Sequence, residues 1–555
     1  MSNSHPWYKS YPKGIDQQID LTKYNSIIDI LEYSMEEYKD LPAFENMGKE
    51  LTYGEIDTLS LNFASYLQNE VGLKKGDRIA LQLPNLLQYP IALFGALRAG
   101  LVVVNTNPLY TPREMKHQFN DSGAVAIVIV ANFAFNLEKI IGETDIKTVI
   151  VTQLGDQLSG LKKGLVNFVV KYVKKMVPTY NLPGAIPFNK ALSIGASKAF
   201  SKPEITLEDN AFLQYTGGTT GVAKGATLSH KNVVANIQQC DQWFLDTEKG
   251  AELVVTALPL YHIFALTVNG FLMFSLGAKN VLITNPRDMK AFIGELKKVK
   301  MTVFTAVNTL FNGLLHQPDF ANVDFSRLKY SIGGGMAVQG AVAKHWQEVT
   351  GHALAEGYGL SETAPLLTCN PLDGTERMGT IGLPVSDTDL CIMDEEGNQL
   401  AMGEPGEICA KGPQVMAGYW QLPEATKETF FGDWFRTGDI GIMDEDGFFK
   451  IVDRKKDMII VSGFNVYPNE IEEVIVAHPK VLEVAAIGIA DEKTTEAVKV
   501  FVVKKDASLT EEEIIACCKV DLTNYKRPKH IEFIDELPKS NVGKIIRRLL
   551  REGES

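Results

Sequence analysis

Between Tyr215 and Gly225 the chain reads YTGGTTGVAKG. Gly217, Gly218, Gly221 and Gly225 let backbone approach a ligand closely and turn its N–H groups inward. Thr216, Thr219 and Thr220 add hydroxyls, and Lys224 adds a cation. Together these are the groups a polyphosphate needs. The G-x-x-x-x-G-K-[ST] spacing of a Walker A loop is absent, which speaks against a P-loop kinase or motor. A flexible Gly/Thr turn is the competing reading, yet loops seldom gather so many phosphate-competent groups.

Other positions carry chemistry singly. Glu362, beside Thr363 in YGLSET, suits Mg²⁺, a hard ion usually held by only one or two carboxylates; it suits a helix N-terminus equally well. Asp439 sits in a tight Thr-Gly-Asp turn and could accept from two vicinal hydroxyls, with Arg454 as its partner. Each of the two also fits a structural ion pair. Tyr358 offers a flat face, and Gly333, Gly334 and Gly335 permit close approach of backbone to a ligand. His262 lies in an uncharged stretch, where a lone histidine is more often a core residue than a catalyst.

These residues need a frame. Over 52–104 the pattern predicts helix, strand, helix, strand, and short apolar strand candidates recur at 124–130, 148–152, 253–257, 281–284 and 303–305. Such alternation implies mostly parallel sheets covered by helices, in a doubly wound lobe. After residue 380 the texture changes to short strands and Gly/Asp turns such as DEEG and DEDG, which predicts a β-rich subdomain. The charged segment DRKKDM from Asp453 precedes an α+β region of about 100 residues, enough for a separate domain.

The 555 residues exceed what one core supports, so a large domain and a smaller one are expected. A net charge of -13 argues against a general nucleic-acid binder, because neutralising phosphates needs a basic face. The six cysteines show no metal spacing and suit reduced, buried thiols in a cytoplasmic enzyme. The N-terminal MSNSHPWYKSYPKG lacks an apolar signal region. The stretch 253–278 carries no charged residue, but its Pro, His, Asn and Gly interruptions predict a buried strand and helix rather than a membrane span.

YTGGTTGVAKG resembles the phosphate loop of the adenylate-forming superfamily, which includes acyl-CoA synthetases, firefly-type luciferases and peptide-synthetase adenylation domains. The family's other motifs follow in order: LPLYH ending at His262, YGLSET, GEICAKG from Gly406, WFRTGD ending at Asp439, DRKKD from Asp453, and NVGK ending at Lys544. The likeness runs over nearly the whole chain and looks closest to bacterial long-chain fatty-acid–CoA ligases. It implies a large N-terminal domain over 1–452, a hinge over 453–457 and a small mobile α+β domain over 458–555. It also implies activation of a fatty acid by ATP to acyl-AMP and pyrophosphate, then transfer to coenzyme A.

A carboxylate attacking the α-phosphorus has the same sign of charge as its target, so the site must supply cations. The resemblance gives this work to Lys224, Mg²⁺ on Glu362, and Lys544, with Thr216 to Gly221 on the phosphates. It sets Tyr358, Gly359, Gly334 and Gly335 around adenine and the acyl carboxylate, and Asp439 with Arg454 on the ribose. Thr363 and His262 stand near the reacting groups. Lys456 becomes the pivot, and Gly463 and Phe464 line the thiol's path in the second step.

An amino-acid substrate would need an acid in the acyl pocket to pair its ammonium, and 253–278 supplies none. Leu260, Phe264, Leu266, Phe271, Leu272 and Phe274 suit an alkyl chain instead, although core packing is the alternative for most of them. Two other functions stay open: a ligase that loads a carrier protein, and a catalytically silent binder. The segment 161–178, LKKGLVNFVVKYVKKMVP, places Leu165, Phe168, Val169, Tyr172, Val173 and Met176 at helical spacing between lysines and contains no acid. It reads either as a helix lying in an anionic membrane surface or as a helix packed on the large lobe. A homodimer is also left open.

Overall fold

The computed structural model describes residues 5–216, 223–462, 464–491, 493–540 and 543–553. Gly217, Gly218, Thr219, Thr220 and Gly221 of the phosphate loop, Gly463, and Asn541 with Val542 lie outside them. Ala126–Val130 (AIVIV) is buried at every position, the mark of a strand covered on both faces. It belongs to an eight-stranded sheet in which Arg78–Gln82, Val102–Asn105, Thr148–Thr152, Ile186–Pro187 and Asn210–Thr216 run parallel with it. A nine-stranded sheet holds Pro42–Asn46, Lys279–Leu282, Leu253–Thr256, Val303–Ala306, Tyr330–Gly333 and Leu354–Gly359, again parallel. A large hydrophobic core joins the two.

Helices enter where the sequence caps them. Thr52 and Glu55 form a capping box ahead of Tyr53–Tyr66, and Ser229 and Asn232 form one ahead of His230–Trp243. The first helix of the 52–104 pattern ends at Tyr66 and continues as a π turn, Leu67–Val71, closed by Gly72 in the left-handed region.

The uncharged run folds as strand Leu253–Thr256 followed by helical turns through Ser275, as its interruptions predicted. Its aromatic residues differ from the alkyl lining expected of them. Phe271 packs 6.2 Å from Phe94 and Phe274 packs 4.4 Å from Tyr53, ring centre to ring centre, while Leu266 and Leu272 are fully buried in the same core. Phe264 reaches the glycine loop: a Cβ added at Gly334 would lie 3.0 Å from its ring.

Beyond residue 380 an antiparallel sheet forms from Asp389–Met393, Gly406–Lys411, Phe430–Phe431, Trp434–Met443 and Phe449–Arg454. The last sheet, from Ile459 onward, has its own core of Ile471, Ile475, Val484, Val500 and Ile514. Of the cysteines, five are buried and Cys517 is partly so, and all are free. Among the described residues no helix is long and apolar enough to cross a membrane.

Candidate active site

Both parallel sheets deliver their loops to one rim, as open α/β sheets do at the carboxyl ends of their strands. From the eight-stranded sheet, Asn210–Thr216 leads into the phosphate loop and Lys224–Ser229 returns antiparallel, with Thr216 opposite Lys224. From the nine-stranded sheet come Gly334 and Gly335 after Tyr330–Gly333, Tyr358 and Gly359 at the end of Leu354–Gly359, and His262 after Leu253–Thr256. The two sheets are stitched at this rim. Asn85 accepts from the Leu260 amide at 2.8 Å and donates to the Thr256 and Leu258 carbonyls at 2.9 Å, and Gln214 donates to the Tyr261 carbonyl at 2.9 Å.

The short strand Gly418–Tyr419 pairs with the returning phosphate strand, Tyr419 opposite Ala226. That register places Lys224 Nζ over the Tyr419 ring, 5.1 Å from its centre, and lets the Tyr419 hydroxyl donate to Glu362 Oε1 at 2.8 Å. Glu362 is buried, and desolvation raises its pKa against the pull of Tyr419, Arg454 and Lys544. Thr363 is fully buried. Its hydroxyl donates to the Pro365 carbonyl, which also accepts from the Leu360 amide at 3.1 Å, so Thr363 closes the turn that presents Glu362.

Asp439 and Arg454 stand opposite each other on the antiparallel strands Trp434–Met443 and Phe449–Arg454. Arg454 Nε lies 3.3 Å from Asp439 Oδ1, and the Tyr358 hydroxyl donates to Asp439 Oδ2 at 2.7 Å. A buried carboxylate with two fixed partners is held rigidly enough to receive a diol.

Lys544 arrives from the far end of the chain. Its neighbour Gly543 accepts from Thr309 Oγ1 at 2.9 Å through the carbonyl, and at φ +83 a side chain on Gly543 would be strained and would meet Thr309 Oγ1 at 2.7 Å. The lysine thereby joins Arg454, Lys456, Asp439 and Glu362 in one electrostatic cluster. Repulsion from Arg454 and then desolvation push its pKa down to about 7, only partly opposed by Asp439 and Glu362. Lys456 falls to about 8, through desolvation and then Arg454. His262 is held neutral near 4 by burial and by Lys544, and its Nδ1 accepts from the Phe264 amide at 3.4 Å. The excess of positive charge suits a polyanion.

Phe464 is not in this cluster. It is exposed and stacks on Tyr525, with ring centres 4.8 Å apart. Sequence reasoning missed Tyr419 and Gln214, placed by strand register, Thr309, on the helix Asn308–Leu315, and Asn85, in the bend after Arg78–Gln82.

Two family models match: the AMP-binding enzyme model over residues 31–420 and the AMP-binding enzyme C-terminal domain over 470–544. The chain is 57% identical over 547 residues to a long-chain-fatty-acid–CoA ligase of Escherichia coli O157:H7, covering 98% of each. It is 38% identical to one of Bacillus subtilis, covering 100% of this chain and 99% of that protein. Among solved structures, an anthranilate CoA ligase in complex with anthranoyl-AMP superposes with a TM-score of 0.86 at 25% identity, covering 96% of this chain and 99% of that one. A benzoate CoA ligase from Burkholderia xenovorans gives 0.82 at 26% identity, covering 95% and 100%. The chain belongs to the AMP-binding enzyme family.

Proposed function

We propose that the protein is a long-chain-fatty-acid–CoA ligase, forming acyl-AMP and pyrophosphate from a fatty acid and ATP and then acyl-CoA and AMP. The observation that carries the first step is the convergence of Lys544, Lys456 and Arg454 on a cleft also reached by Lys224, where negative charge must gather for a carboxylate to attack phosphorus. Likeness to the long-chain ligases at 57% identity supports the substrates. In this reading Asp439 accepts from the ribose hydroxyls, Tyr358, Gly359 and the Gly334–Gly335 backbone border the base and acyl carboxylate, and Thr216 and Lys224 with the intervening loop hold the phosphates. His262, neutral, borders the acyl carboxylate and is no general base.

Mg²⁺ would be held by Glu362. Among the described residues no three His, Cys, Asp or Glu groups gather to form a metal site, and the single carboxylate of Glu362, turned to the cleft, fits an ion bound chiefly by substrate phosphates. Bound there, it would neutralise phosphate charge. The large domain spans 1–452, the hinge 453–457 with its pivot at Lys456, and the small domain 458–555. Rotation about that pivot would bring Gly463 and Phe464 to the thiol's path. Incubation with a long-chain acid, ATP and CoA should release AMP and acyl-CoA. Acylation of a carrier protein in preference to CoA would defeat the proposal.

A depressed Lys544 has a pH consequence. A lysine whose pKa is lowered to about 7 is charged below that pH and loses its charge as pH rises through it. Because kcat/KM reports groups of the free enzyme, kcat/KM for ATP in pyrophosphate exchange should fall above about pH 7. A profile flat to pH 9 would contradict that environment.

The segment 161–178 supports the membrane reading over the packed one. Gly160–Phe168 and the π turn Val169–Val173 contain no buried residue; Leu161 is 94% exposed, and Leu165, Phe168, Tyr172, Val173 and Met176 each expose half or more. An apolar face this open is rarely left to water. Lys171, Lys174 and Lys175 flank it, while Lys163 lies 3.9 Å from Asp156, an acid outside the segment. Each lysine near an anionic surface contributes about 1 kcal/mol. Replacing Lys171, Lys174 and Lys175 by Glu should therefore lower co-sedimentation with anionic vesicles about tenfold or more, with activity on a short soluble acid unchanged. Binding indifferent to both charge and salt would rule the surface out.

A further inference from the structure

The peptide carrying Lys544 is anchored three residues later. Arg547, the first residue of helix Arg547–Glu552, donates from Nη2 to Glu472 Oε2 at 2.8 Å, to Glu472 Oε1 at 2.9 Å and to Asn469 Oδ1 at 3.0 Å. Its Nη1 lies 3.4 Å from Asp457 Oδ2, and Arg551, one turn on, donates to Asp457 Oδ1 at 2.8 Å. Glu472 and Asp457 are both buried. One guanidinium therefore joins the helix Pro468–Val476 to the last residue of the hinge segment. Across that hinge, Asp453 Oδ2 accepts from the Asn469 amide at 2.8 Å.

On the other side of Lys544 the chain folds back on itself. The Ser540 amide donates to the Lys544 carbonyl at 2.7 Å, the Ile546 amide to the Pro538 carbonyl at 2.8 Å, and Lys539 pairs with Glu483 at 2.7 Å. Lys544 thus sits on a short turn with Lys539 fixed at its base on one side and Arg547 on the other. Such anchorage has a purpose. Lys544 is pushed into a cleft already holding Arg454 and Lys456, and before nucleotide binds that repulsion acts to expel it.

We infer that Arg547 is a positioning residue for adenylation, holding the Lys544 turn in the cleft by fastening it to Glu472 and to the hinge residue Asp457. The inference rests on the reading of Lys544 as the adenylation lysine. The same contacts make Asp457 part of the small domain, so the pivot narrows to residues 454–456. A purely structural Arg547 would weaken the whole small domain, and with it both half-reactions alike.

The two half-reactions are measured separately in Arg547→Ala, Arg547→Lys, Glu472→Gln and Lys544→Ala: acid-dependent ATP–pyrophosphate exchange, and conversion of supplied acyl-adenylate and CoA to acyl-CoA. Arg547→Ala and Glu472→Gln should lower kcat of exchange about tenfold or more with acyl transfer within about threefold of wild type, and Arg547→Lys should recover part of the loss. Equal loss of both half-reactions, or unaltered exchange, overturns the inference. If Lys544→Ala loses exchange while Arg547→Ala keeps it, only the role of Arg547 falls. If Lys544→Ala keeps exchange, the reading of the lysine falls and this inference with it.

Discussion

Replacing Lys544 by Ala is expected to abolish pyrophosphate exchange while leaving acyl transfer from supplied acyl-adenylate nearly intact. The carboxylate and the α-phosphate repel each other, and the lysine is placed beside Asp439, Glu362 and Arg454, where that charge must gather. Removing one such preorganised stabiliser typically costs about 10²–10³ in rate, or about 3–4 kcal/mol. In acyl transfer a neutral thiol attacks a carbonyl rather than a carboxylate attacking a phosphate, and the proposed rotation of the small domain would withdraw Lys544 from the cleft for that step. The two losses should therefore separate. A mutant that exchanges pyrophosphate at the wild-type rate would show that the cluster is a structural arrangement of buried charge with no part in adenylation.

Much of this site is legible from the sequence, for a definite reason. Glycine and threonine crowd the segment 216–225, a composition that lets backbone approach a phosphate, and such density is visible without a fold. The parallel strands are legible too, since a strand buried on both faces reads as an unbroken apolar run such as AIVIV. Register is what the sequence conceals. Nothing about Tyr419 announces that pairing with Ala226 will set it between Lys224 and Glu362. Asn85 and Gln214 bind carbonyls of a loop far away in sequence, and a lone polar residue carries no periodic signal.

Periodicity also leaves the direction of a face open. The stripe from Leu165 to Met176 is regular, but only the fold reveals that, among the described residues, most of it is left exposed. The converse holds at Phe271 and Phe274, whose uncharged surroundings look like a fatty-acid pocket and which are instead fastened among Phe94, Phe44 and Tyr53. Thr363 shows the same limit at a single atom. Its place beside Glu362 suggested contact with the reacting groups, whereas its hydroxyl is spent on the Pro365 carbonyl.

That carbonyl makes Gly359 the most demanding glycine among the described residues of the site. A Cβ built on Gly359 would lie 1.8 Å from the Pro365 oxygen and 2.6 Å from its carbon, both backbone atoms that no rotamer change can clear. The Pro365 oxygen is meanwhile the acceptor that closes the turn, taking the Leu360 amide and the Thr363 hydroxyl. Gly359→Ala must therefore open the turn, displacing Glu362 from Tyr419 on one side and Tyr358 from Asp439 on the other. Neighbouring glycines give a scale. At Gly335 the same methyl would find Val307 at 3.7 Å and meet only the strain of φ +77, of order 1 kcal/mol. At Gly334 it would press at 3.0 Å on the Gly357 carbonyl and on the Phe264 ring, which can give slightly. Exchange activity should accordingly fall about 10²-fold or more in Gly359→Ala, and less in Gly334→Ala and Gly335→Ala. The turn packs against the core, which includes Tyr358 and Ala364, so the thermal stability of each variant is measured beside its exchange rate. A Gly359→Ala enzyme within about threefold of wild type would mean that the turn need not be closed for the carboxylate of Glu362 to act.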